Sequence, residues 1–109
     1  MPHSFSNCLY HIVFSTKDRF PSISETFRSR LYEYVGAIVA DRAGTLLEIG
    51  GTQDHVHMLA KLRHDRYVCD IVRDVKANSS RFARRTFPEA RSFGWQVGYG
   101  VFTVSESQV

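Results

Sequence analysis

His55-Val56-His57 is the triplet in this 109-residue chain best suited to chemistry. On an extended strand, residues i and i+2 project to the same face. The two imidazoles therefore stand side by side, with about 7 Å between their Cα atoms, a spacing that suits two ligands of one divalent ion. Val56 points the other way, into a core, which accounts for an apolar residue between them. Spacing alone leaves two plain surface histidines as the alternative. The setting adds weight: a Gly50-Gly51 turn precedes the pair, and the loop Ser15-Thr16-Lys17-Asp18-Arg19 is compatible with phosphate. Two neutral imidazoles and an oxygen ligand suit Mg²⁺ or Mn²⁺ in phosphate chemistry. His11, flanked on its own strand face by Leu9 and Val13, reads as a packed, hydrogen-bonded histidine; His3 and His64 take no role.

The elements that must position these residues follow from periodicity. Ser6–Thr16 alternates, with Cys8, Tyr10, Ile12 and Phe14 on one face, and reads as a strand ended before Pro21. Ser24 caps a helix whose stripe is Phe27, Leu31, Val35, Ile38 and Arg42, ending at Gly44. Thr45–Ile49 is a short strand. His55–Leu62 alternates again, with Val56, Met58, Ala60 and Leu62 on one face and His55, His57, Leu59 and Lys61 on the other. Asp65 is a candidate cap for a helix from about Arg66 to Thr86, stopped by Pro88. Its apolar stripe is Val68, Ile71/Val72, Val75, Ser79 and Phe82, while Arg73, Lys76, Ser80 and Arg84 gather on another stripe. Phe93–Ser105 forms a last strand whose glycines suggest a bulge or a close backbone approach. The order strand–helix–strand–strand–helix–strand predicts an α+β, ferredoxin-like βαββαβ domain: a four-stranded antiparallel sheet with both helices on one face. No repeat or linker divides the chain, so residues 1–109 form a single domain. The other face of the sheet is left for solvent, a partner or a site.

Composition is that of an ordinary globular domain, with 43% hydrophobic and 23% charged residues, which argues against intrinsic disorder. No apolar run is long enough to span a membrane and the N-terminus lacks a signal peptide's apolar stretch, so a soluble, cytoplasmic protein is expected. Cys8 and Cys69 are too far apart in sequence for a metal-binding pair and read as two buried free thiols. The net charge is +3, but residues 61–91 hold nine Lys/Arg against four acids, a basic stripe suited either to a polyanion or to solvent.

Three blocks then carry a resemblance: Leu9-Tyr10-His11-Ile12-Val13-Phe14-Ser15-Thr16-Lys17-Asp18-Arg19, Gly50-Gly51 with Asp54-His55-Val56-His57-Met58-Leu59, and Trp95-Gln96-Val97-Gly98-Tyr99-Gly100-Val101-Phe102-Thr103-Val104-Ser105. In order and spacing they resemble the single-tyrosine HUH transposases of bacterial insertion sequences. The resemblance implies a ferredoxin-like fold, a homodimer, and single-stranded DNA hairpins as substrate. It implies that His55 and His57 bind Mg²⁺ or Mn²⁺, which polarises the scissile phosphate, and that a tyrosine attacks to leave a 5′-phosphotyrosine. Lys17, Arg19, Lys76, Arg81, Arg84 and Arg85 are the candidate DNA contacts.

One departure bears on catalysis. In the family the nucleophilic tyrosine, and a glutamine one helical turn later that completes the metal ligands, follow the last strand; their place here lies beyond Val109. The chain is thus expected to stop before the catalytic helix. Tyr10, Tyr32 and Tyr34 fall in core-forming elements, Tyr67 starts the second helix, and Tyr99, between two glycines on the last strand, is expected to pack or to space the backbone, so no catalytic residue is assigned. Two further readings stand beside a transposase: a non-catalytic, truncated relative that binds single-stranded DNA or regulates, and a metal-dependent nuclease of another kind.

Overall fold

The computed structural model describes residues 8–42, 44–63 and 65–104. The order of its elements is β1 (Cys8–Ser15), α1 (Glu25–Arg42), β2 (Gly44–Gly51), β3 (His55–Leu62), α2 (Val68–Thr86) and β4 (Gly100–Val104). The strands form one antiparallel sheet in the order β2-β3-β1-β4. This is the α+β, ferredoxin-like arrangement that the alternation of patterns predicts. His3 and His64, and the outermost residues expected in the first and last strands, lie outside the described residues.

Register decides which side chains share a face. Ile12 stands opposite Met58, and Phe14 opposite Val56; all four are buried. One residue along, Val13 faces His57 and Ser15 faces His55, so the histidines occupy the opposite side. Both helices cover the first side. Phe27, Leu31, Val35, Ile38 and Val39 of α1 and Ile71, Val72, Val75 and Ala83 of α2 join the core cluster with the strand residues. Tyr34 stacks on Phe82, with ring centroids 4.2 Å apart, and closes the contact between the helices. Among the described residues no helix is long and apolar enough to cross a membrane.

The structure corrects four expectations. Helix α2 starts at Val68 after an extended Tyr67 with no side-chain cap. Asp65 lies outside the helix and pairs instead with Arg63 at 3.6 Å. Strand β2 is longer than Thr45–Ile49 because an irregularity between Leu46 and Glu48 lets pairing continue to Gly51. The last strand is shorter than Phe93–Ser105. Trp95 bridges Thr16, the Gln96 N–H donates to the Ser15 carbonyl, and pairing resumes only at Gly100 opposite Val13. Val97, Gly98 and Tyr99 therefore stand against Phe14 alone and loop out of the sheet. Val97 is 95% exposed, and Gly98 takes the φ of 94° that the excursion needs. The thiols are not both buried either: Cys69 is exposed on α2 and Cys8, at the start of β1, is partly so.

Candidate functional site

His55 and His57 project from β3 onto the face of the sheet that the helices do not cover. Their ring centroids are 6.3 Å apart, and His57 is exposed. His11, one register step away on β1, meets His57 edge-on with centroids 5.7 Å apart and has Phe102 of β4 on its other side. It is packed as expected, although no side-chain hydrogen bond joins it to another described residue. The uncovered face thus carries three imidazoles in a row. Among the described residues, however, no group of three or more His, Cys, Asp or Glu side chains is arranged to hold a metal. The described donor set is the His55–His57 pair, which leaves a cation's other positions to water, phosphate oxygens or groups outside this set.

Gly50 and Gly51, which end β2 as paired residues rather than forming the turn, shape this pair by what they lack. Gly50 faces His57 across the β2–β3 ladder, and a Cβ there would lie 3.3 Å from Cε1 and 3.4 Å from Nε2 of that ring. The glycine keeps one side of the nitrogen open, which fits a ligand approaching it. Gly51 has a φ of 151°, and a Cβ on it would meet the His55 carbonyl oxygen at 2.2 Å. Only glycine lets the chain turn so tightly that the Thr52 N–H reaches the His55 carbonyl at 3.0 Å.

Beside His55 lies a polar cluster. Asp54 Oδ1 is 3.1 Å from His55 Nδ1, Thr52 Oγ1 is 2.9 Å from the same nitrogen, and the Arg19 guanidinium is 3.5 Å from Asp54 Oδ1. The hydrogen bonds from His55 and Thr52, helped by Arg19, hold the Asp54 carboxyl below the usual carboxylate range. Thr16, fully buried, fastens this corner. Its N–H donates to the Asp54 carbonyl at 2.8 Å, and its hydroxyl lies 2.6 Å from the Phe20 carbonyl. The loop that follows is strained at Arg19: Asp18 and Arg19 both adopt left-handed φ, at 57° and 56°, a region that Asp tolerates and Arg rarely enters. The Asp18 N–H donating to Gln96 Oε1 at 2.8 Å, and the Lys17 N–H donating to the Gly94 carbonyl at 3.0 Å, help hold it there.

The six cations named from the sequence divide by position. Arg19 is brought to the histidine pair through Asp54, and exposed Lys17 shares its loop. Lys76, Arg81, Arg84 and Arg85 are on α2, in the helix layer, with the sheet between them and the imidazoles. Two of these four tie the fold together. Lys76 Nζ donates to the Gln96 and Gly98 carbonyls at 2.6 and 2.9 Å, and burial pushes its ammonium pKa down. Arg84 donates to the Phe93 carbonyl at 3.0 Å. The stripe Arg73-Lys76-Ser80-Arg84 is therefore partly a strut that fastens residues 93–98 to α2. Arg81 reaches Asn78 Oδ1 at 3.1 Å, and Arg85 is exposed. Of the tyrosines, Tyr67 is 75% exposed at the start of α2, and Tyr99 lies in the excursion rather than on the strand where the sequence reading placed it.

Sequence reasoning set Gly50 and Asp54 beside the pair but gave neither of them, nor Thr52, a part in the site. Their signal was the Gly50-Gly51-Thr52-Gln53-Asp54 turn, legible as a turn but not as the wall of a histidine pair.

No curated protein matches the chain. Among solved structures, one described as a candidate transposase from Deinococcus radiodurans R1 superposes with a TM-score of 0.82 at 24% identity, over 94% of this chain and 82% of that one. Another, described as a REP-associated tyrosine transposase bound to a REP hairpin, gives a TM-score of 0.70 at 12% identity, over 94% of this chain and 59% of that one. At such identities the two likenesses establish the fold. The family described as "Transposase IS200 like" matches residues 4–109, and with that match across nearly its whole length the chain belongs to the IS200-like transposase family.

Proposed function

We propose that this chain handles single-stranded DNA hairpins at the ends of a mobile element, with His55 and His57 holding a Mg²⁺ or Mn²⁺ ion. The observation that carries the reading is the imidazole pair on the helix-free face, His57 exposed and His55 half-buried, inside a domain of a transposase family. When bound there, the ion supplies Lewis-acid polarisation of a scissile phosphate. Lys17 and Arg19 draw the sugar–phosphate backbone toward the edge of the site, and Arg81 and Arg85 on α2 contact phosphates farther along. Lys76 and Arg84 serve that surface mainly by fixing residues 93–98 beneath it. The covalent step needs a tyrosine hydroxyl, and we assign that role to none of the five tyrosines of this chain. A homodimer fits through β4, which among the described residues pairs with β1 alone and exposes Phe102 (60%).

Labelled single-stranded hairpins, as a pool of varied sequence, and duplexes of equal length are to be titrated with the protein at rising salt. Preferential, steeply salt-dependent binding of hairpins is expected. Equal affinity for duplex and hairpin contradicts it. Denaturing gels of the same mixtures should show no covalent adduct, since no tyrosine of this chain is assigned the nucleophile's role; an adduct would make one of its five tyrosines the nucleophile.

A further inference from the structure

Thr52 and Asp54 sit in the turn between β2 and β3 and do more than close it. Asp54 Oδ1 lies 3.1 Å from His55 Nδ1, Thr52 Oγ1 lies 2.9 Å from that nitrogen, and Thr52 Oγ1 lies 3.0 Å from Asp54 Oδ1. Three mutual contacts among three groups leave one consistent placement of protons. An ionised carboxylate only accepts, and a threonine hydroxyl has a single proton to give. If that proton went to His55 Nδ1, Asp54 Oδ1 would face two lone pairs, one on Thr52 and one on the ring. If it goes to Asp54, the ring must carry its own proton on Nδ1, shared between Thr52 Oγ1 and Asp54 Oδ1. Every contact is then a donor meeting an acceptor. The Asp54 N–H, 3.4 Å from Thr52 Oγ1, donates to the second lone pair of the same oxygen, which this assignment leaves available. Arg19, 3.5 Å from Oδ1, steadies the carboxylate.

We propose that Thr52 and Asp54 are positioning residues that hold His55 as the Nδ1–H tautomer, presenting its Nε2 lone pair to a divalent cation shared with His57. The inference rests on the reading of His55 and His57 as cation ligands. The chemistry behind it is general: a ligating imidazole is oriented, and made a better donor, by an acceptor on its other nitrogen. The arrangement places that acceptor before any ion arrives. It also makes the turn sequence part of the site, since Gly51 is what brings Thr52 within reach of the ring.

The metal-free protein tests the tautomer directly. Long-range ¹H–¹⁵N correlation spectra at about pH 8, above the ordinary imidazole range, should show His55 protonated on Nδ1. In a Thr52→Val/Asp54→Ala double variant the proton should move to Nε2, which an unconstrained neutral histidine prefers. Titration with Mn²⁺ alone should show Asp54→Ala weakened about 10- to 100-fold. Asp54→Asn should stay close to wild type, because the Thr52 hydroxyl selects the amide oxygen and so keeps an acceptor at Nδ1. An Nε2–H tautomer in the wild type, or undiminished Mn²⁺ affinity in Asp54→Ala, overturns the proposal. A wild-type protein with the Nδ1–H tautomer and no Mn²⁺ uptake overturns the cation reading, and with it the ligand role given to Nε2.

Discussion

Gly50 stands directly across the β2–β3 ladder from His57, so close that a methyl group on it would lie 3.4 Å from the ring's Nε2. The side chain that β2 omits is what leaves that nitrogen approachable. Gly50→Ala should therefore lower Mn²⁺ affinity by about tenfold or more, the scale on which groups around metal ligands act. It should leave the fold intact, because the φ of Gly50 is not positive. Calorimetric titration with Mn²⁺ and thermal melts, run side by side, check both halves.

Trp95 Nε1 donates to the fully buried Ser79 Oγ at 3.0 Å, while its ring packs against Phe14 and Phe93. Removing the Ser79 hydroxyl strands the Trp95 N–H, and removing that N–H leaves Ser79 Oγ with only its long contact to the Lys76 carbonyl at 3.5 Å. Trp95→Phe and Ser79→Ala should each cost about 1–3 kcal/mol in urea unfolding followed by circular dichroism. The double variant should cost less than the sum of the two. Strict additivity would mean that the hydrogen bond carries no coupling.

Thr26 donates to Glu89 at 2.7 Å and holds the Glu89 carboxyl below its ordinary range. A depressed carboxylate pKa contributes stability above the unfolded value and loses it as pH falls through the folded one. Thr26→Val should be less stable than wild type near neutrality. The pH-dependent part of that deficit should fade as pH drops from about 5 to about 2. Urea midpoints across that window read the effect, and a deficit that grew toward acid would reverse the sign argued here.

Lys17 and Arg85 are exposed, whereas the Lys76 ammonium is held by two backbone carbonyls. Each phosphate contact removed from single-stranded DNA should lower the slope of log affinity against log salt by about 0.7. Lys17→Ala and Arg85→Ala should show that change. Lys76→Met should leave the slope nearly unaltered and instead speed amide exchange in residues 96–98. A slope change in Lys76→Met as large as in the other two would make it a phosphate contact as well.

Period-two alternation made β1 and β3 legible from the sequence, and with them the shared face of His55 and His57. The stripe Phe27-Leu31-Val35-Ile38 did the same for α1. Less local facts were out of reach. That His11 meets His57 depends on the β1–β3 register, which no single strand encodes. The left-handed Asp18 and Arg19 carry no glycine to announce them; contacts with Gly94 and Gln96, nearly eighty residues away, hold that loop. The α2 cations looked like one basic stripe, open to a polyanion or to solvent, because nothing in a helix reveals that Lys76 and Arg84 will be met by the carbonyls of a later segment. Asp65 was a good cap by type, but the chain turns into α2 only at Tyr67.

The most direct test of the account is the Mn²⁺ affinity of the wild-type protein against His55→Ala and His57→Ala, measured by the loss of free-ion electron paramagnetic resonance signal. The account predicts one bound ion per chain in the wild type, and none in either variant at the same concentrations. Wild-type uptake that survives both substitutions, or no uptake at all, would contradict it.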